Sequence, residues 1–155
     1  MHRRAGFTLI EIAICVAIML MLLLLAVPSV NGVLADRRLH HTLDEFNKLV
    51  QLAQERSVLE HRPYVIAWEK DRVVVQPETP EKDEGPVATY NLARGDAIQL
   101  NLTAALLADI PAEWIFWPSG NCEPATIAYK GSNGTWTAAY SPLTARAELT
   151  NYAAR

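Results

Sequence analysis

The sequence predicts an α+β fold: one long N-terminal helix followed by antiparallel strands. Two patterns carry this. An uncharged apolar run passes directly into a stretch with helical spacing of apolar residues, and from Tyr64 onward the chain breaks into short β-rich runs separated by turn signals.

The first element begins with Ile12 to Val27, sixteen unbroken apolar residues, and no charge occurs between Glu11 and Asp36. About 20 helical residues cross a bilayer core of roughly 30 Å, so this run is long enough to span. The basic residues ahead of it, Arg3 and Arg4, predict a cytoplasmic N-terminus, with Asp36 and everything after it on the other side. Beyond the run, Leu39, Leu43, Phe46, Val50 and Ala53 recur at spacings of four and three, and Leu49 and Leu52 widen the stripe. Asp36, Arg37, Arg38, Asp44, Glu45, Lys48, Gln51, Gln54 and Glu55 take the opposite face. This is an amphipathic helix laid on a core. It is expected to stop near Leu59 or His61, because Pro63 disfavours helix at Arg62. Pro28 and Gly32 interrupt the otherwise continuous helix and are expected to loosen it.

About seven short strands should follow. Tyr64–Trp68 and Arg72–Gln76 flank a hairpin turn at Glu69-Lys70-Asp71, and 77–86 (PETPEKDEGP) is a charged loop. Val87–Leu92 and Ala97–Leu102 are separated by Arg94-Gly95-Asp96; Thr103–Asp109 is a helical turn or a bridge; Trp114–Trp117 ends at Pro118. Thr126–Lys130 and Thr135–Tyr140 flank Gly131-Ser132-Asn133-Gly134, where Asn-Gly is a turn signal. Ile127, Tyr129, Trp136, Ala138 and Tyr140 alternate, so one face should be buried. A last strand is expected over Ala145–Leu149.

Composition excludes some functions. Without residues 1–6 the chain has 12 basic against 17 acidic residues, a net charge of −5. That is a poor basis for neutralising phosphates, so nucleic-acid binding is not expected. Cys15 and Cys122 lie in such different settings that no internal disulfide is expected. His40 and His41 are adjacent and diverge by about 100° on a helix, a poor metal clamp. Glu78, Glu81, Asp83 and Glu84 could offer oxygen ligands to calcium, but without regular spacing they read as a solvated loop. Trp114, Trp117 and Trp136 read as core aromatics rather than a binding surface. The sequons at Asn101 and Asn133 carry no weight here. No Ser, His or Asp stands in a catalytic context, so no enzyme, cofactor or metal is expected.

Between Arg3 and Leu25 the order Gly6-Phe7-Thr8-Leu9-Ile10-Glu11, with basic residues ahead and a long apolar run behind, resembles the class III signal of type IV pilins and type II secretion pseudopilins. The resemblance implies a pilin-like fold and a set of processing steps. A prepilin peptidase cuts between Gly6 and Phe7 and methylates the new amino terminus at Phe7. Residues 1–6 are then a removed leader, 7–30 a transmembrane and filament-core helix, 31–62 an amphipathic stem and 63–155 a periplasmic antiparallel β domain. Glu11 is expected to pair with the Phe7 amino terminus of a neighbouring subunit. Phe116-Trp117-Pro118-Ser119-Gly120 is similar to the F-x-P-x-G segment of the GspH/FimT group of minor pseudopilins and minor pilins. Ser141-Pro142-Leu143-Thr144-Ala145-Arg146-Ala147 is similar to that group's P-x-T-G-R segment, with Ala145 in place of glycine. The resemblance implies a single-pass protein of the bacterial inner membrane that joins the periplasmic pseudopilus of type II secretion near its tip. Its partners would be other pseudopilins, the peptidase, the inner-membrane assembly platform, and the secretin or secreted cargo. The alternative is a minor subunit of a surface type IV pilus, serving pilus assembly or DNA uptake.

Overall fold

The computed structural model describes residues 8–102 and 113–155; Gly6, Phe7 and the Thr103–Asp109 segment lie outside them. Helix α1, Leu9–Leu59, runs 51 residues, about 77 Å at 1.5 Å per residue. Its helical backbone continues through the positions of Pro28 and Gly32. Strands β1 (Tyr64–Trp68), β2 (Arg72–Pro77), β3 (Ala88–Asn91), β4 (Ala97–Leu102), β5 (Glu113–Phe116), β6 (Ala125–Gly131), β7 (Gly134–Tyr140) and β8 (Ala147–Ala154) follow. They form two antiparallel sheets, ordered β3-β2-β1-β5 and β4-β6-β7-β8.

Among the described residues there are eight strands, one for each run named in the sequence, and two boundaries differ from the sequence reading. Trp117 falls outside β5, because its backbone enters a turn: the Trp117 amide donates to Asn121 O and the Gly120 amide to Trp117 O. β8 begins at Ala147 rather than Ala145 and runs on to Ala154. Residues 141–146 instead close a loop, in which the Ala145 amide donates to Ser141 O and the Ser141 amide to Arg146 O. In the β6–β7 hairpin the two turn residues are Ser132 and Asn133, and Gly131 pairs with Gly134. Gly134 has φ +139°, and a Cβ there would collide with the Ala153 carbonyl oxygen of β8. Glycine is required by both conformation and space.

The apolar stripe of α1 forms the centre of the core. Leu39, Leu43, Phe46, Leu49, Val50 and Ala53 are all buried. The Phe46 ring lies 6.3 Å from Trp68 of β1, 5.9 Å from Trp136 and 6.2 Å from Tyr140 of β7. One helix face therefore meets both sheets. Trp68 Nε1 is buried without a partner, but the other core tryptophans and Tyr140 keep their polar tips satisfied against the helix or loops. Trp136 Nε1 donates to Thr42 Oγ1 at 3.0 Å, the Tyr140 hydroxyl to Asn47 Oδ1 at 2.6 Å and Trp114 Nε1 to Glu123 O at 2.8 Å. Near the start of the packed part, the Tyr152 hydroxyl donates to Asp36 Oδ1 at 2.8 Å.

The helix ends with Glu60 as its C-cap and His61 in the left-handed conformation, φ +53°, one residue earlier than a stop forced by Pro63 alone requires. A charged knot secures this exit. Arg62 donates to Glu60 Oε2 and to both carboxylate oxygens of Glu84, and the Tyr64 hydroxyl donates to Glu60 Oε2 at 2.7 Å. The Tyr64 and Arg62 hydrogen bonds hold the Glu60 carboxyl down at about 2, and Arg62 also lowers Glu84. The loop between β2 and β3 is thereby tied to the helix exit.

The Phe116–Gly120 segment is tied to the same part of the helix. Gln54 Nε2 donates to Gly120 O at 2.6 Å, and the buried Ser57 hydroxyl lies 3.1 Å from Trp117 O. Gly120 takes φ +84°, which glycine adopts without strain. Ala145 has φ +49° and is buried. A left-handed residue with a Cβ costs roughly 1–2 kcal/mol. Burying the methyl returns about 0.8 kcal/mol, and glycine in its place would lose more chain entropy, so alanine is tolerated there.

Two predictions follow from this packing. Phe46→Ala is expected to lose about 3–5 kcal/mol in urea denaturation of the detergent-solubilised chain. Leu59→Ala, at an exposed position, should stay within about 0.5 kcal/mol. Glu60 has a folded pKa of about 2 against an ordinary 4.5, so its contribution is present above pH 4.5 and fades as pH falls toward 2. Glu60→Gln should flatten the stability curve across that window, measured by thermal unfolding at stepped pH; an unchanged slope would remove Glu60 as the titrating group.

Candidate assembly site on the N-terminal helix

The first half of α1 has no place in the core. Leu9, Ile10, Ile12, Ile14, Val16, Ile18 and Met19 to Leu23 are all exposed, Leu9 at 88%. They occupy every side of the helix, because consecutive residues step 100° around it. The first strong tether to the sheets is Tyr152 on Asp36, and Val33 and Leu34 before it are still exposed. An all-round apolar helix is stable only when something apolar surrounds it, either lipid or other helices. Among the described residues no helical segment is long and apolar enough to cross a membrane. Those whose side chains are described stop at Leu23, whereas the apolar sequence runs on to Val27.

Glu11 stands at the third helical position, with Thr8 as N-cap. Thr8 and Glu11 have the spacing of a capping box, yet no side-chain cap bond forms; the Glu11 and Ile12 amides both point to the Thr8 carbonyl oxygen at 3.1 and 3.4 Å. Among the described residues Glu11 is the only charged residue between Thr8 and Leu23, it is exposed, and its carboxylate has no partner. It sits at the positive end of the helix dipole, worth about 0.3–1 kcal/mol to a carboxylate.

The remaining candidates resolve into packing. Of the acidic loop, Glu84 is committed to Arg62 and accepts the Glu81 amide at 3.0 Å. His40 stacks on Tyr152 with ring centres 4.6 Å apart, and His41 Nδ1 lies 3.9 Å from Glu45 Oε1. Among the described residues no group of three or more His, Cys, Asp or Glu is placed to hold a metal. Trp114 and Trp136 are fully buried, and Trp117 is half-buried on the turn. Cys122 is buried near Ser141 O at 3.7 Å, and desolvation pushes its thiol up to about 11. A buried, protonated thiol is a weak nucleophile.

Sequence reasoning missed the contacts that hold the β domain onto the helix. Gln54 was assigned to the polar face and Ser57 was given no role, and their partners lie 66 and 60 residues away. Their i, i+3 spacing opposite the F-x-P-x-G segment was the available signal.

Residues 1–27 match the model of the prokaryotic N-terminal methylation motif. A comparison with curated proteins gave no match. Among solved structures, the fold is similar to the type IV minor pilin FimU of Pseudomonas aeruginosa, at 16% identity and a TM-score of 0.54, covering 75% of this chain and 90% of that one. A second crystal form of FimU matches at 15% identity and a TM-score of 0.52, over 73% and 93% of the two chains. The minor pseudopilin EpsH from the Type 2 Secretion System of Vibrio cholerae matches at 15% identity and a TM-score of 0.52, over 71% and 93%. At these identities the likeness is one of fold. The chain thus carries a prepilin-type N-terminal motif and has a pilin-like fold, a long N-terminal helix packed on antiparallel sheets as in the minor pilin and minor pseudopilin structures it resembles.

Proposed function

We propose that this chain is a structural minor pseudopilin of a type II secretion system. It waits in the inner membrane as a single-pass protein, loses residues 1–6 to a prepilin peptidase, and enters the periplasmic pseudopilus near its tip to support protein export. The carrying observation is the join between a methylation motif over residues 1–27 and a helix that exposes apolar side chains all round before its second half enters the core. Such a helix suits lipid first and a bundle of neighbouring helices later.

In this reading each N-terminal residue has a task. Cleavage between Gly6 and Phe7 creates an ammonium at Phe7, and methylation keeps it charged. Glu11 of one subunit pairs with Phe7 of the next. At about 4 Å and an effective dielectric near 20 the attraction is of order 4 kcal/mol before desolvation, so the pair fixes register as much as it adds strength. Pro28 and Gly32 let the helix loosen when subunits pack. Partners would be other pseudopilins, the assembly platform, and the secretin or cargo.

The equally close likeness to FimU favours a second reading, a minor subunit of a surface type IV pilus. Deleting the gene separates them: loss of exported proteins with surface pili intact supports secretion, and the reverse supports the pilus. Salt-sensitive DNA binding by the protein would add the uptake role.

Gly6→Ala is expected to block processing, seen as an unshifted precursor band. Glu11→Ala should be processed normally yet fall at least tenfold in filament fractions that co-purify with other pseudopilins. Full incorporation of Glu11→Ala would overturn the pairing role.

A further inference from the structure

Directly after the exposed apolar half, α1 carries a small basic groove on the face turned away from the sheets. Leu34, Arg37, Arg38 and His41 line it, with a volume of about 330 Å³. These residues follow the i, i+3, i+4, i+7 spacing that puts side chains on one helix face. Both arginines are exposed, and neither has an ion-pair partner among the described residues. The nearby acids are occupied: Asp36 accepts the Tyr152 hydroxyl, and Glu45 faces His41. Two unpaired arginines just past an apolar run, on its far side, also go against the bias that keeps positive charge on the cytoplasmic side.

We infer that Arg37 and Arg38 dock anionic phospholipid headgroups of the outer leaflet of the inner membrane, seating the β domain against the bilayer until the subunit is extracted. The inference rests on the membrane-anchored reading of α1.

Depth supports it. If Glu11 marks one edge of the hydrocarbon layer, 20 residues of helix carry the chain about 30 Å to Asn31, the opposite edge. Arg37 and Arg38 then have their backbone about 40 Å from Glu11, roughly 10 Å past the far hydrocarbon edge and a few ångströms outside a headgroup layer about 5–7 Å deep, within reach of a long side chain. Helical side chains lean toward the helix N-terminus, so both guanidinium groups reach back toward the membrane rather than away from it. Leu34, exposed beneath them, continues the apolar surface into the groove. An arginine fork suits a phosphate, and the aliphatic stem can lie along apolar surface below it. Beyond this band Asp44 and Glu45 follow on the helix, which an anionic surface repels, so the basic band has a sharp outer limit.

The test is spin-label electron paramagnetic resonance on the full chain reconstituted in phosphatidylcholine vesicles. Trace spin-labelled phosphatidylglycerol or phosphatidylcholine reports the lipid held at the protein surface. One arginine at an anionic surface is worth about fivefold. The wild-type chain is expected to prefer phosphatidylglycerol by more than fivefold, and the preference should fall at least fivefold in Arg37→Gln/Arg38→Gln, to the level that Arg3 and Arg4 supply, and toward unity in 1 M NaCl. A preference that does not fall in the double variant overturns the inference. So does a double variant that keeps its lipid preference but loses co-purification with pseudopilins, which would make the groove a subunit interface. Restricted lipid with no headgroup preference overturns the inference and leaves the anchor standing. No restricted lipid of either kind overturns the anchor as well.

Discussion

One helix has to satisfy two incompatible surroundings, and the rest of the molecule follows from that constraint. Over its second half α1 behaves as an ordinary amphipathic helix, with Phe46 at the meeting point of both sheets. Over the first half, the described apolar side chains from Leu9 to Leu23 are all exposed. The packed half must therefore hold the β domain firmly enough that the unpacked half can be handled by lipid or by other chains. That explains why the polar tips of the core aromatics are anchored on helix residues Thr42, Asn47 and Asp36 as well as on loops. Each such bond contributes only about 0.5–1.5 kcal/mol net, but an unpaired tip at the same depth would cost more.

The side-chain ties between the helix and the first sheet lie at the helix's C-terminal end. Gln54 and Ser57 donate to carbonyl oxygens of the 117–120 turn, and Arg62, held by Glu60, ties down the β2–β3 loop through Glu84. These ties reach both the β5 edge and the β3 edge of the first sheet, which consequently moves with the helix. The second sheet is tied further back, at Thr42 and Asn47 through β7 and at Asp36 through β8. The stem therefore carries one sheet near its exit and the other near its start, so that a pull along the helix is shared between them.

Much of this was legible in the sequence, for identifiable reasons. The stripe from Leu39 to Ala53 and the alternation of Ile127, Tyr129, Trp136, Ala138 and Tyr140 are periodic, and periodicity reports burial directly. Hairpin turns were legible where a polar or glycine-bearing gap separated two β-rich runs. The end of β5 and the start of β8 were not, because Trp117 and Ala145 have strand-like neighbours and their turns are set by hydrogen bonds to Asn121 and Ser141. The Arg62 knot was also invisible: it joins residues 22 positions apart whose types are ordinary in any solvated loop. As for the candidate site, the positions of Glu11 and of the exposed apolar half came from the sequence, whereas the Arg37–Arg38 groove needed the fold to show which helix face the sheets leave open.

The charges on α1 make sense as a pair of depth marks. Glu11 lies in the first turn, where the helix dipole favours a carboxylate and water can still reach it, so its cost in the unassembled protein stays well below the 2.5–3.5 kcal/mol of a charge at the bilayer centre. On the membrane-anchored reading, Arg37 and Arg38 have their backbone about 40 Å further along, just outside the headgroup layer, with side chains that lean back toward it. Between these marks no charge interrupts the chain. A helix marked in this way has a preferred depth in lipid. On the proposed reading, leaving the membrane for a filament replaces both sets of interactions, headgroup phosphates at one end and interfacial water at the other. The unused capping geometry of Thr8 and Glu11 supports that reading, since a carboxylate folded back onto its own helix would have to be released before it could meet a neighbour's amino terminus.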